Sequence, residues 1–106
     1  MEKVIFKQDI LNYFDELVYV LFEKDYFSYP ENALDYVEKI VEFTIREIAN
    51  FPHKTTPQNL KHLGSNYIFY NSNQRTTWFV FFEKQNNNYL ITGILNNHCE
   101  EAKNLV

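Results

Sequence analysis

Two side chains in the second half of this chain have the types and positions that chemistry on a phosphate requires. Arg75 precedes the apolar run TTWFVFF, and His98 follows the later run YLITGILNN, so each lies at the end of a predicted strand. A guanidinium offers a fixed fork of donors to phosphate oxygens, and an imidazole titrates near neutral pH. Cleavage of RNA by its own 2′-hydroxyl needs such a cation and a group that transfers a proton. We therefore predict Arg75 and His98 as a catalytic pair.

Both residues also have a structural interpretation. Arg75 could cap the end of a strand or pair with Glu83 or with a carboxylate of a helix, and His98 in Asn-Asn-His is typical of a surface turn. A zinc site is a further alternative, but the spacings of its potential ligands match no closed site. Those ligands would be His53, His62, His98 and Cys99. We expect neither a metal nor another cofactor.

The strands that must position this pair are predicted to form a long antiparallel hairpin. From Thr76 to Phe82 apolar side chains fall on both faces, which is typical of a central strand covered on its two sides. Turn residues at Gln85–Asn88 separate this run from the isoleucine-rich segment that ends before His98. An earlier aromatic run from Tyr67 predicts a further strand.

The first half of the chain predicts a short strand and two helices. The strand is Lys3–Phe6, and Asp9 is the predicted N-cap of a helix over Ile10–Lys24. The next helix begins near the capping-box sequence Ser28–Glu31, whose proline lies near the first helical position, and runs to about Ala49. The predicted inward stripe of this second helix is Leu34, Val37, Ile40, Val41, Thr44, Ile45 and Ile48.

Because one strand and two helices precede a run of strands, the predicted fold class is α+β. The N-terminal strand is followed by an antiparallel helical hairpin, which packs on a three- to four-stranded antiparallel sheet. A chain of 106 residues is expected to form one domain, residues 1–106. A short strand or turn is predicted at Asn59–Leu63, and a short helix or a tail at Cys99–Val106.

Charge is distributed unevenly along the chain. Residues 1–50 hold eleven acidic and five basic side chains, whereas residues 51–106 hold three acidic and five basic ones. The second half also holds all three histidines, so it is the half that can face an anion.

No apolar run has membrane-spanning length and no signal-peptide pattern precedes the first strand. We expect a soluble, cytoplasmic protein with no membrane partner.

The order of elements resembles the RelE/ParE superfamily of bacterial type II toxins. The features that carry the resemblance are Arg75 before the penultimate strand, the FVFFE run within it, and an isoleucine-rich last strand closing in NNH. The resemblance implies a toxin of a type II toxin–antitoxin system that acts as a ribosome-dependent mRNA endoribonuclease, as in the RelE, YoeB and HigB branch. It also implies a cognate antitoxin as partner and the ribosome with its mRNA as target.

Site residues follow from the same resemblance. Arg75 and His98 match the arginine and the C-terminal histidine or tyrosine of the nuclease branch. Lys54 and Lys61, with His62 beside them, correspond to basic residues that bind RNA in RelE. No residue matches the family's Glu or Lys general base, so the pattern does not identify that base.

The aromatic run of the central strand is interpreted as core. An outward Tyr67, Tyr70 or Trp78 beside Arg75 is the alternative, since such a ring could stack on an RNA base. Tyr67 is accordingly included among the predicted RNA-binding residues.

Two other functions remain open. A ParE-like protein would inhibit DNA gyrase by binding it, without catalytic residues of its own, and an inactive interaction domain could use the same scaffold.

An aromatic content of 18% is high for so small a domain and predicts exposed apolar surface that an antitoxin covers. A homodimer through the same surface is the rival expectation.

Overall fold

Helices and strands are segregated along the chain. A computed structural model describes residues 3–23 and 30–105. The elements are β1 (Lys3–Phe6), α1 (Gln8–Glu23), α2 (Pro30–Glu47), β2 (Lys54–Thr55), a first 3₁₀ helix (Gln58–Leu63), β3 (Asn66–Asn71), β4 (Thr77–Gln85), β5 (Asn88–Asn96) and a second 3₁₀ helix (Glu100–Asn104). The predicted α+β class is confirmed. The predicted helix end at Lys24 and the capping serine, Ser28, lie outside the described residues.

The first helix follows β1 almost without a connection. The Lys7 N–H donates to the Ile91 carbonyl of the sheet at 3.1 Å, while the Lys7 carbonyl accepts the N–H groups of Ile10 and Leu11. The helix therefore begins one residue after the last strand contact. The prediction of Asp9 as N-cap is wrong, because Asp9 lies within the first helical turn, where its carboxylate interacts favourably with the helix dipole.

Five strands form one mixed sheet in the order β1-β5-β4-β3-β2. Strands β3, β4 and β5 pair antiparallel, as predicted, and β1 joins β5 in parallel, with Lys3 opposite Asn88. The prediction of a purely antiparallel sheet is thus incomplete, because a four-residue apolar pattern does not encode the direction of its partner. The two-residue strand β2, which pairs antiparallel with β3, was not predicted, and the short strand or turn expected at Asn59–Leu63 is part of the first 3₁₀ helix. The predicted β4–β5 hairpin is confirmed. Its turn contains Asn86, whose φ of 57° lies in the left-handed region that asparagine tolerates.

Both faces of the central strand β4 are covered, as its apolar pattern predicts. Trp78, Val80 and Phe82 pack into a core cluster with residues of both α-helices. Phe79 and Phe81 pack into a smaller cluster on the other face. The side chains that close this second cluster come from the two 3₁₀ helices and their flanks, and they are Leu63, Cys99, Ala102 and Leu105. We call the face with the smaller cluster the outer face of the sheet.

The buried face of α2 differs from the predicted stripe. The positions predicted correctly are Val37, Ile40, Thr44 and Ile48, which are buried, and Val41, which is half-buried against the same core. Leu34 and Ile45, however, are 46% and 54% exposed, and Ala33 and Phe43 are buried in addition. The Phe43 ring lies 4.9 Å from the Tyr70 ring of β3, centroid to centroid. Phe43 thus belongs to the buried face of α2, whereas Leu34 and Ile45 face outward.

None of the helices in residues 3–23 and 30–105 is long and apolar enough to cross a membrane.

Candidate functional site

Arg75 lies in the turn Ser72–Thr76, which connects β3 to β4. The turn closes where the Ser72 N–H donates to the Thr76 carbonyl at 3.0 Å. Within it, Asn73 Oδ1 accepts the backbone N–H groups of Arg75 at 2.8 Å and of Thr76 at 2.9 Å. Asparagine side chains that bind backbone groups a few residues ahead are typical of tight turns. Asn73 therefore fixes the backbone from which the Arg75 guanidinium extends.

The end of β5 is joined to this turn by Asn97. Asn97 Oδ1 accepts the Thr77 N–H, and Asn97 Nδ2 donates to the Arg75 carbonyl, both at 3.0 Å. Because His98 is the next residue, these bonds place its backbone beside the Arg75 turn. His98 Nε2 lies 3.2 Å from Thr76 Oγ1. The hairpin thus brings together the two ends that the sequence predicts to carry the catalytic pair.

Arg75 and His98 line one surface pocket of about 480 Å³, together with Asn73, Gln74 and Thr76. Both side chains are exposed. The Arg75 guanidinium has no hydrogen-bond or ion-pair partner within the described part of the chain. These lining residues include no carboxylate, so the positive charge is not neutralised locally. The pocket can therefore bind an anion, and His98 adds an imidazole, whose ring nitrogens can donate or accept a hydrogen bond.

A larger groove of about 610 Å³ adjoins this pocket and shares Asn73, Thr76 and His98 with it. Its remaining lining residues come from both helices and the sheet, and they are Leu17, Val20, Leu21, Tyr36, Trp78 and Asn96. The groove is therefore mainly apolar on its helical side and polar on the side of the Arg75 turn.

A chain of hydrogen bonds links α2 to the Arg75 turn. Trp78 Nε1 donates to the Tyr36 hydroxyl at 2.9 Å, and that hydroxyl lies 2.8 Å from Ser72 Oγ. Ser72 Oγ donates to the Thr76 carbonyl at 3.2 Å. Because the Ser72 proton is committed to that carbonyl, the Tyr36 hydroxyl is the donor toward Ser72. The three hydrogen bonds therefore run in one direction, from Trp78 of the sheet through Tyr36 to the Arg75 turn.

The basic residues of the predicted RNA surface do not line this pocket. Lys54 pairs with Tyr67 near the start of β3, whereas the Arg75 turn follows the end of that strand. The intervening residues of β3 span roughly 13 Å. Lys61 and His62 are exposed on the first 3₁₀ helix, which packs on the outer face of the sheet. The predicted site therefore divides into a pocket and a separate basic surface.

Tyr67 is a core residue, which contradicts its predicted role in stacking an RNA base. Its side chain is 4% exposed, and its ring centroid lies 5.9 Å from that of Phe79 and 5.4 Å from that of Phe81. A ring enclosed in this way offers no face to a ligand. Trp78 is also buried, and Tyr70 is half-buried.

The residues that position the pair were not predicted from the sequence. Asn73 and Asn97 belong to clusters of turn residues next to Arg75 and His98, so a local signal for them exists. Tyr36 carries no such signal, because it reaches the turn from a helix 36 positions earlier. Its contribution follows only from the packing of α2 on the sheet.

The alternative partner predicted for Arg75 has a different contact. Glu83 Oε2 accepts the Ser65 N–H at 3.0 Å, and Glu83 lies toward the opposite end of β4 from Arg75. Residues 3–23 and 30–105 contain no group of three His, Cys, Asp or Glu side chains that could hold a metal ion.

In comparisons with known proteins, no family model, no curated protein and no solved structure matches the chain.

Proposed function

We propose that this protein is the toxin of a type II toxin–antitoxin system and acts as a RelE-like, ribosome-dependent mRNA endoribonuclease. The observation that supports the proposal is the common pocket of Arg75 and His98, in which the lining residues supply no carboxylate. A cation and a proton-transfer group on one surface are what RNA cleavage by its own 2′-hydroxyl requires. The succession of a strand, two helices and antiparallel strands supports the resemblance to the RelE/ParE superfamily.

In the proposed reaction, the 2′-oxygen attacks the adjacent phosphorus and the bond to the 5′-oxygen breaks. The products are a 2′,3′-cyclic phosphate and a free 5′-hydroxyl. The Arg75 guanidinium donates to the phosphate oxygens, where negative charge grows in the transition state. His98 transfers one proton, either from the 2′-hydroxyl or to the 5′-oxygen. The other uncharged lining residues, Asn73, Gln74 and Thr76, carry amides and a hydroxyl, which are poor proton-transfer groups, so solvent carries the other proton.

Thr76 has a positioning role in this proposal. Its hydroxyl lies 3.2 Å from His98 Nε2, and one hydrogen bond of this kind restricts the rotation of an exposed imidazole. The restriction keeps the ring in the pocket that Arg75 lines. A proton-transfer group is effective only when it is held within hydrogen-bond reach of the reacting oxygen.

Lys54, Lys61 and His62 serve in the proposal as a secondary RNA surface. They lie away from the reacting phosphate, so the contribution of the two lysines is charge attraction to the RNA backbone or to ribosomal RNA. Loss of one such charge is expected to weaken binding without changing the chemical step. Arg75 and His98 are expected to affect the chemical step itself.

The partner of the proposed toxin is a cognate antitoxin. Leu34 and Ile45 lie eleven positions apart on α2, so they share one helix face, and both are strongly exposed. Tyr19 of α1 is 65% exposed. Exposed apolar side chains mark a surface for a protein partner where they form one contiguous patch, and we propose that these three belong to the surface that the antitoxin covers. A homodimer through the same surface is the competing outcome, which light scattering of the isolated chain distinguishes.

The proposal is tested by inducing the wild-type chain in cells and mapping the 5′ ends of an abundant mRNA by primer extension. We expect growth arrest and new 5′ ends within translated codons, and no new ends when translation initiation is blocked. A ParE-like protein would arrest growth and damage DNA replication without cleaving mRNA. An inactive interaction domain would produce neither effect.

A further inference from the structure

The groove next to the Arg75 pocket has the features of a site for a flat aromatic ligand. Apolar side chains of α1 line one side, and the half-buried ring of Tyr36 lies in the lining next to the buried Trp78. Small-molecule sites generally combine apolar walls with a few polar groups that fix the orientation of the ligand. The polar groups of this groove include the side-chain amides of Asn73 and Asn96.

The orientation of both amides is determined by backbone donors. Asn73 Oδ1 accepts two backbone N–H groups, from Arg75 and Thr76. Asn96 Oδ1 accepts the His98 N–H at 2.9 Å. An amide nitrogen cannot accept a hydrogen bond, so neither amide can be rotated by half a turn without losing these contacts. Both side chains therefore have their oxygens engaged.

The amide nitrogens of these two asparagines remain available to a ligand. Neither Asn73 Nδ2 nor Asn96 Nδ2 has a hydrogen-bond partner within residues 3–23 and 30–105. Asn96 is paired with Trp78 across β4 and β5, and directly opposed side chains lie on the same sheet face. The groove is thus lined by two residues whose free polar groups are hydrogen-bond donors.

We propose that this groove binds a purine base of the RNA and that Asn73 and Asn96 select guanine over adenine. The inference rests on the proposed function, since the base would belong to a nucleotide next to the phosphate at Arg75. Guanine presents two neighbouring acceptors, N7 and O6, whereas adenine presents N7 as an acceptor and its N6 amino group as a donor. Two donors on the protein match the first pattern and leave one unpaired against the second.

The test is a titration of the wild-type chain with GMP, IMP and AMP, followed by the indole N–H signal in a ¹H–¹⁵N NMR spectrum. The chain has one tryptophan, so the spectrum holds one such signal, and Trp78 lines the groove. We expect GMP to bind at least about fivefold more tightly than AMP, the lower limit for discrimination by a well-placed pair of hydrogen bonds. IMP has the N7 and O6 acceptors without the 2-amino group, so it should bind like GMP.

Amide-to-acid variants separate base recognition from charge. Asn73→Asp and Asn96→Asp keep the oxygen that holds the backbone but lose the donor, so each should bring the ratio of GMP to AMP affinity toward one. Gln74→Glu adds the same charge to the Arg75 pocket and keeps both asparagines, so it should weaken all three nucleotides alike and leave the ratio unchanged.

Two results would overturn the inference, namely equal affinity of the wild type for GMP and AMP, or binding of IMP like AMP. An unmoved indole signal with all three nucleotides would overturn it as well. The measurement does not depend on catalysis. An intact preference for GMP in a protein that cleaves no mRNA would therefore count against the proposed nuclease activity and not against the base site.

Discussion

Thr76 Oγ1 and His98 Nε2 lie 3.2 Å apart, and this contact joins the start of β4 to the residue that follows β5. In the proposed nuclease it holds the imidazole at the pocket that Arg75 also lines. We predict that Thr76→Val lowers mRNA cleavage by about two- to tenfold, the range that corresponds to one net hydrogen bond. Thr76→Ser keeps the hydroxyl and should restore cleavage. Equal activity of the valine and serine variants would show that the contact is not needed.

The Tyr36 hydroxyl is predicted to stabilise the Arg75 turn. Tyr36→Phe leaves the buried Trp78 Nε1–H without its acceptor, so we expect unfolding free energy to fall by about 1–3 kcal/mol. Tyr70→Phe is the matched control, because no partner of the Tyr70 hydroxyl is present among the described residues. Urea denaturation of the two variants measures the difference. Similar losses in both would contradict a specific role for the Tyr36 hydroxyl.

Gly93 allows the first 3₁₀ helix to lie close to β5. A methyl group at position 93 would be 2.8 Å from the Leu63 carbonyl oxygen and 2.9 Å from Leu63 Cβ. We therefore expect Gly93→Ala to displace this helix and to lower the unfolding free energy by about 1–3 kcal/mol, as overpacking does. Because the helix carries Lys61 and His62, RNA affinity should fall in parallel. An alanine variant with wild-type stability would contradict this packing.

The uneven charge of the chain predicts which lysines contact RNA. Lys54→Glu and Lys61→Glu should weaken binding to RNA or ribosomes, and higher salt should weaken wild-type binding further. Lys39→Glu makes the same change on the exposed side of α2 and should have little effect. Binding isotherms at several salt concentrations measure both the affinity and its salt dependence. Equal losses in all three variants would show that the charge asymmetry does not locate the RNA surface.

Local patterns in the sequence predicted β1, β3, β4 and β5, but not the two-residue strand β2. The bounds of β1 agree with the prediction, and the two-sided apolar pattern of β4 corresponds to burial on both faces. Such patterns depend on the alternation of side chains along one strand, so a single sequence contains them. The approach of Arg75 to His98 was predictable for the same reason, since a hairpin necessarily brings its two outer ends together.

Features that depend on packing between distant segments were not predicted. Phe43 of α2 packs against Tyr70 of β3, whereas Leu34 of the same helix is exposed. The burial of Tyr67 follows from the covering of the outer face by segments whose sequences are mostly polar. The position of Lys54 depends on the register of a two-residue strand. Neither periodicity nor composition reports contacts of this kind.

The central claim is that Arg75 and His98 act together on one phosphate. Both side chains are exposed, so Arg75→Ala and His98→Ala should leave the thermal midpoint almost unchanged. Arg46→Ala is the matched control, because Arg46 is an exposed arginine of α2 whose described ion pair is with its neighbour Glu47. All three variants can therefore be compared at equal amounts of folded protein.

The most direct measurement is the rate of mRNA cleavage on translating ribosomes by the wild type and these three variants. We predict that Arg75→Ala and His98→Ala each lower the rate by a factor of about 10² or more, as removal of a positioned electrostatic or acid–base group does. Arg46→Ala should cleave at the wild-type rate. Absence of cleavage by the wild type, or full cleavage by Arg75→Ala, would contradict the proposed nuclease.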